Sequence, residues 1–189
     1  MLRGEKILLR ARYADDVPLL HRELHDDIAA RVRTTDRPWR PCQVDGAASP
    51  FAPAGPTPEA AVFSVLEMPA GSDDPADGVL AGAASLWGID QYNRGAHLGI
   101  SILPSRRGRG LGTDVVRVLC EFGFTVEGLR RLQMETLEDN TAMITAATRA
   151  GFTVEGRLRR SAWVYGEFRD EVLLGLLVEE WKGGAATRA

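Results

Sequence analysis

Residues 107–113, Arg-Gly-Arg-Gly-Leu-Gly-Thr, lie between an apolar strand-like stretch and an amphipathic one. Glycines at this spacing let a backbone approach a ligand and adopt positive φ without a side-chain clash. The first turn of a following helix presents N–H groups that lack intrahelical partners, together with the positive end of the helix dipole. Both suit a phosphate or pyrophosphate. Arg107 and Arg109 could add charge-assisted contacts. The same glycines also make a tight turn with no ligand, and the residues alone leave both readings open. Three phosphate motifs compete. A P-loop needs Gly-Lys-Ser/Thr, and no lysine is present here. A dinucleotide fingerprint needs Gly-x-Gly-x-x-Gly, whereas Gly108, Gly110 and Gly112 alternate, and the meander before them contradicts a βαβ start. Arg/Gln-x-x-Gly-x-Gly/Ala is satisfied by Arg107, Gly110 and Gly112.

Other reactive residue types carry less. His21 and His25 share a helix face at i, i+4, but no third ligand of metal-site spacing stands near them in sequence. They read as a solvated face, and no metal or redox cofactor is expected. Cys120 falls among apolar helix positions and reads as packing, while Cys42 sits in a proline-rich stretch. The acidic pairs Asp26-Asp27 and Asp73-Asp74 read as solvated charges that could also attract a cation.

These groups need a scaffold, and 189 residues suffice for one domain. The net charge of −3 offers no basic field for nucleic acid. No apolar run reaches membrane-spanning length, the start lacks the apolar region of a secretory signal, and two cysteines are too few for a disulfide framework. A cytoplasmic setting without nucleic acid or membrane is expected. Lys6 and Lys182 are the only lysines among many arginines, so single arginines are weak evidence.

Periodicity places strands at 7–10, 62–66, 79–87, 97–103, 132–137, 156–164 and 171–178. Helices follow from Asp15 or Asp16 (Val17, Leu20, Leu24, Ile28), after the glycine turn (Val115, Val116, Leu119, Phe122, Val126) and over 140–150, stopped by Gly151. Residues 34–58 form a long loop rich in proline, in which Trp39 and Phe51 either line a pocket or anchor the loop. The fold class expected is α/β (α+β), with a mixed, mostly antiparallel central sheet flanked by helices.

The motif of Arg107, Gly110 and Gly112 resembles the pyrophosphate loop of the GCN5-related N-acetyltransferases (GNAT). Residues 4–10, Asn140 standing eleven residues before Gly151-Phe152, Glu155-Gly156, and residues 165–170 with the Glu180-Trp181 ending resemble its RimJ/RimL-like subgroup. The resemblance covers nearly the whole chain. It implies one acetyltransferase domain over 1–182 with a variable loop at 34–58, and a disordered tail at 183–189. It implies a sheet splayed between the fourth and fifth strands, with the pantetheine arm of acetyl-CoA in the gap. Ile100, Ile102 and Leu103 would contact that arm. Gly108, Arg109, Gly110, Leu111, Gly112 and Thr113, with Arg107, would hold the pyrophosphate. Asn140 and Met143 would complete the cofactor site.

The activity implied is transfer of an acetyl group to a primary amine, either a protein N-terminus or a small amine such as a polyamine or aminoglycoside. A non-catalytic acyl-CoA sensor, or an enzyme with a longer acyl donor, stays open. The tyrosine that the wider family places seven residues after the Asn position is Ala147 here, so no general acid carries over. His97, on the strand entering the site, is the first candidate base and Glu155 the second. The hydrophobic last strand, 172–178, is expected either to build a homodimer or to lie inside the sheet.

Overall fold

The structure, a computed structural model, describes residues 1–183 except 36, 54 and 56. Apart from Gly183, the expected tail lies outside the described residues. Eight strands form one sheet: β1 (Leu2–Arg3), β2 (Ile7–Arg10), β3 (Ala60–Glu67), β4 (Val79–Asp90), β5 (Gly95–Ile102), β6 (Arg131–Leu137), β7 (Thr153–Val164) and β8 (Glu167–Leu177). Their order is β1-β2-β3-β4-β5-β6-β8-β7, and every pair is antiparallel except β5–β6. The two-residue β1 adds one strand to the seven expected, so the expected splay falls between β5 and β6. Strand β8 is paired with β6 and β7 on its two sides, so it lies inside the sheet, the second of the two expectations for this segment.

Four helices flank the sheet: α1 (Val17–Leu24), α2 (Ile28–Arg31), α3 (Leu111–Glu121) and α4 (Thr141–Arg149). The apolar stripe of α3 (Leu111, Val115, Val118, Leu119) packs with Leu86, Leu98, Leu132, Met134, Leu174 and Leu176 in the main core. On the other face, Val17, Leu20 and Leu24 of α1 enclose Phe51, Ala83 and Leu103. Burying each such leucine stabilises the fold by about 1.5–3 kcal/mol.

Two helix readings are corrected. The first helix ends at Leu24, and Ile28 opens the separate α2, whose N-cap Asp27 accepts from Ala30 N–H. The third ends at Glu121 and passes into a π-helical turn, Phe122–Val126. The wider turn rotates Val126 out of the apolar stripe and leaves it 66 % exposed.

One buried carboxylate fixes α3. Asp114, in its first turn, accepts the N–H groups of Glu5 (3.1 Å), Lys6 (2.7 Å) and Ile7 (3.1 Å). The turn that opens β2 is thereby locked onto the helix that follows the glycine-rich segment, which brings Lys6 beside that segment.

Candidate active site

Strands β5 and β6 pair only over Gly95–Arg131, Ala96–Leu132 and His97–Gln133. Beyond this they part, and β6 continues alone against β8. Leu103 N–H donates to Ala81 C=O at 2.9 Å, so alternation along β5 turns the backbone groups of Ile100 and Ile102 towards the gap. Leu103 is corrected by the same geometry. Its N–H is taken by β4, its C=O accepts from Arg106 N–H, and its side chain is 1 % exposed. A cleft of about 570 Å³ opens at the gap, lined on one wall by Leu98–Ser101 and on the other by Met134–Leu137, Asn140 and Met143.

The glycine turn joins the end of β5 to α3. Gly108 (φ 77°) and Gly110 (φ 81°) are left-handed, and Gly110 is the residue preceding α3. The N–H groups of residues 108–113 have no hydrogen-bond partner among the described residues. A Cβ at Gly108 or Gly112 would meet nothing within 4 Å. The arginines hold the turn. Arg107 Nε donates to Ile102 C=O (3.1 Å), and Arg106 and Arg109 pair with Glu67 (2.9 and 3.2 Å). Lys6 Nζ donates to Arg109 C=O at 3.2 Å. Sequence reasoning missed Lys6, although its rarity beside so many arginines was a signal.

Asn140 serves as the N-cap of α4. Its side-chain oxygen accepts Met143 N–H (3.3 Å), and its amide donates to Thr136 Oγ1 (2.9 Å), tying the helix to β6. Ala147, at the family's tyrosine position, is buried in the core. His97 stacks on Trp87 (centroids 4.3 Å apart), with its Nδ1 3.3 Å from Glu135 Oε2 and its Nε2 3.1 Å from Gln133 Nε2. His97 stands behind the cleft wall, and Glu135 is the member of the pair that lines it. Glu135 was not singled out in sequence, because its contact with His97 spans 38 positions.

Glu155 is corrected as a base candidate. Both of its oxygens accept from the Arg131 guanidinium, outside the cleft lining. Hydrogen bonding from Arg131 holds this carboxyl below its ordinary value, which weakens it as a base.

More of the lining comes from separate segments: Arg12, the 31–35 stretch, Pro50 and Phe51, then Leu158, Ala162 and Glu171. Arg12 is held below its ordinary value by burial, and its buried Nε has no partner among the described residues. Phe51 both lines the cleft and packs in the α1 cluster. Trp39 is an anchor, donating from Nε1 to His25 C=O at 2.9 Å.

The histidine reading is also corrected. His21 and His25 are 2 % and 5 % exposed, and Cys42 Sγ lies 3.6 Å and 3.4 Å from their Nε2 atoms. Cys120 is buried, and burial pushes its thiol up to about 12, the inert state expected of packing.

The domain model of the acetyltransferase (GNAT) family matches residues 6–153. The chain is 35 % identical over 107 residues to a putative ribosomal N-acetyltransferase, YdaF, of Bacillus subtilis, covering 57 % of this chain and 58 % of that one. It is 30 % identical over 105 residues to spermidine N(1)-acetyltransferase of Escherichia coli K12, covering 56 % of each. The chain thus spans little more than half the length of these curated relatives. Among solved structures, spermidine N-acetyltransferase from Vibrio cholerae, in complex with CoA and spermine, superposes with a TM-score of 0.79 at 19 % identity, over 94 % of this chain and 98 % of that one. RimL, a ribosomal L7/L12 alpha-N-protein acetyltransferase in complex with CoA, gives 0.76 at 19 %, over 94 % and 97 %. Both likenesses are of fold, and the fold agrees with the match over residues 6–153: the chain belongs to the GNAT acetyltransferase family.

Proposed function

We propose that this chain transfers an acetyl group from acetyl-CoA to a primary amine. The observation that carries the reading is the ladder broken after His97–Gln133, which opens a cleft beside a glycine turn with unpartnered N–H groups. The residues fit such a ligand. The turn offers backbone donors with no Cβ in the way, and Ile100 and Ile102 offer strand-edge groups to an extended pantetheine arm. Bound there, acetyl-CoA would supply an activated thioester carbonyl. Residues 108–113 would take the pyrophosphate, with Lys6 adding charge. Met143 and Asn140 flank the arm.

The chain's own part in transfer is to unload a proton from the amine and to steady the oxygen of the carbonyl under attack. The amine nitrogen bonds to the carbonyl carbon, the C–S bond breaks, and the sulfur leaves as thiolate. Ile100 N–H, turned into the gap, suits the oxyanion. The His97–Glu135 pair suits the proton, with Glu135 facing the acceptor and His97 behind it. With Ala147 where a tyrosine would stand, and no tyrosine lining the cleft among the described residues, the thiolate departs without that acid.

For the acceptor we favour the α-amine of a peptide, as in the RimJ/RimL-like subgroup, over a polyamine. The cleft lining carries two carboxylates, Glu135 and Glu171, against Arg12, Arg31 and Arg33, so it is not the acidic groove that a polycation would select. A buried, unpartnered Arg12 nitrogen suits a peptide carbonyl or carboxylate. The two free cysteines suit a reducing, cytoplasmic setting. The test measures CoA thiol release from acetyl-CoA with a peptide bearing a free N-terminus, its Nα-blocked counterpart, spermidine and an aminoglycoside. Turnover with the free peptide alone supports the reading. Faster turnover with spermidine reassigns the acceptor. Acetyl-CoA binding with no turnover on any amine makes the chain an acyl-CoA sensor.

A further inference from the structure

His21 in α1 and His25 at its C-cap stand one turn apart, which sets both rings on one face. The loop after α2 then brings Cys42 against them. The donor atoms of all three residues lie within 4.8 Å of one another. Tetrahedral zinc, with bonds of roughly 2.3 Å to sulfur and 2.0–2.1 Å to nitrogen, separates an N and an S ligand by about 3.6 Å. The two Nε2···Sγ separations are 3.6 Å and 3.4 Å. We propose that His21 Nε2, His25 Nε2 and Cys42 Sγ bind one zinc ion that fastens the 34–58 loop to α1.

Four further observations support a built site. Both rings are almost fully buried, their Nδ1 atoms have no hydrogen-bond partner among the described residues, and the hydrogen-bonding contacts of both rings run through Nε2. The Nδ1 of His21 lies 3.1 Å from Asp26 Oδ1, without the alignment of a hydrogen bond. That is the place at which a carboxylate behind a metal-bound imidazole sets ring orientation. The His25 ring is stacked on Trp39 (centroids 5.6 Å apart), whose Nε1–H donates to His25 C=O, so the loop itself holds the ring in place. The Arg40 C=O, 3.1 Å from His25 Nε2, stands where a fourth ligand or a metal-bound water would be met. Two imidazoles and a thiolate select zinc-like ions over magnesium or calcium.

The ion would stand outside the chemistry, since none of its three ligands lines the cleft. Its effect is on the acceptor wall. Thr34, Thr35, Pro50 and Phe51 line the cleft from the two ends of the loop that Cys42 would anchor. The proposal is independent of acetyl transfer, and its readouts need no turnover.

Chelator-stripped full-length protein is titrated with Co²⁺ and then with Zn²⁺. One cobalt per chain is expected, with a thiolate-to-cobalt charge-transfer band that zinc bleaches. Cys42→Ala removes the band and weakens zinc at least about 100-fold, while Asp26→Asn weakens it about tenfold. Cys120→Ala keeps the band. Zinc raises the melting temperature of wild type and leaves that of Cys42→Ala unchanged. Cys42 is partly exposed, so its alanine variant retains the fold, which far-ultraviolet circular dichroism verifies. Three results overturn the proposal: no stoichiometric cobalt binding by folded protein, cobalt bound without the thiolate band, or a band that survives in Cys42→Ala. Any of these reduces the cluster to buried packing between a helix and a loop.

Discussion

The two halves of the proposed site are built by opposite means. The cofactor half, β5 with the glycine turn and the start of α3, is nearly one continuous stretch, residues 98–113; Leu98–Ser101 line the cleft, and the stretch offers backbone N–H and C=O groups. The acceptor half gathers Arg12, the 31–35 stretch, Pro50 and Phe51, and then Leu158, Ala162 and Glu171, and it works through side chains. A site written in backbone needs only permissive residues at fixed spacing, so a short motif suffices to specify it. A site written in side chains from distant segments can change its chemistry without disturbing that motif, which is how one cofactor frame can serve different amines.

The contrast can be broken at several points. The largest effect is expected at the proton-accepting pair. His97→Ala or Glu135→Gln should lower kcat by about 100-fold or more, with acetyl-CoA affinity in binding calorimetry little changed. The larger loss marks the group that takes the proton, and equal wild-type rates in both would remove the pair from the mechanism. Next comes the cofactor half. Gly110→Val forces a β-branched residue to φ 81°, and strain of about 1–3 kcal/mol should appear as roughly 10- to 100-fold weaker acetyl-CoA binding in a folded protein. Unchanged affinity would mean that the turn does not carry the cofactor.

A third effect concerns stability on the acceptor side. Burial works to raise Asp16, but hydrogen bonds from Arg10 (2.6 and 2.8 Å), Tyr13 N–H and Ser64 outweigh it and hold the carboxyl below its ordinary value. A carboxyl so depressed stabilises the fold above its unfolded pKa of about 4, and that contribution is lost as pH falls through the folded value. Asp16→Asn should therefore cost about 2 kcal/mol at pH 7 in denaturant unfolding, with the gap to wild type closing below pH 4. A gap that does not vary with pH would assign the effect to packing. The smallest change is expected at residues the structure assigns to scaffolding. Glu155→Gln and Arg109→Ala should each leave kcat and acetyl-CoA affinity within about twofold, and a large loss at Arg109 would move the pyrophosphate contact from backbone to side chain.

The meander of β3, β4 and β5 and the glycine turn were legible in sequence because each depends on neighbours a few positions away. The Tyr165-Gly166 turn was legible for the same reason: both residues have positive φ (44° and 98°) and suit a two-residue hairpin. What escaped was non-local. Glu135 acquires meaning from His97 on the adjoining strand, and Glu155 loses its apparent role because Arg131 lies across the sheet. Cys42 joins two histidines 17 and 21 positions earlier only once the loop folds back on α1. Periodicity also has no marker for the extra residue of a π turn, so Val126 was placed on the apolar stripe of the helix.

The Asp114 carboxylate carries a consequence in time as well as in space. It holds the N–H groups of residues 5–7 across 107 to 109 positions of chain. At synthesis rates of about 5–20 residues per second, those residues wait on the order of 5–20 s for their acceptor to be made. Until then Lys6 cannot settle beside the glycine turn, so the opening of β2 and the start of α3 mature in one late event. Asp114 is thus a clasp whose two halves leave the ribosome far apart, and a cell that slows translation between them prolongs the interval in which the first strands have nothing to close on.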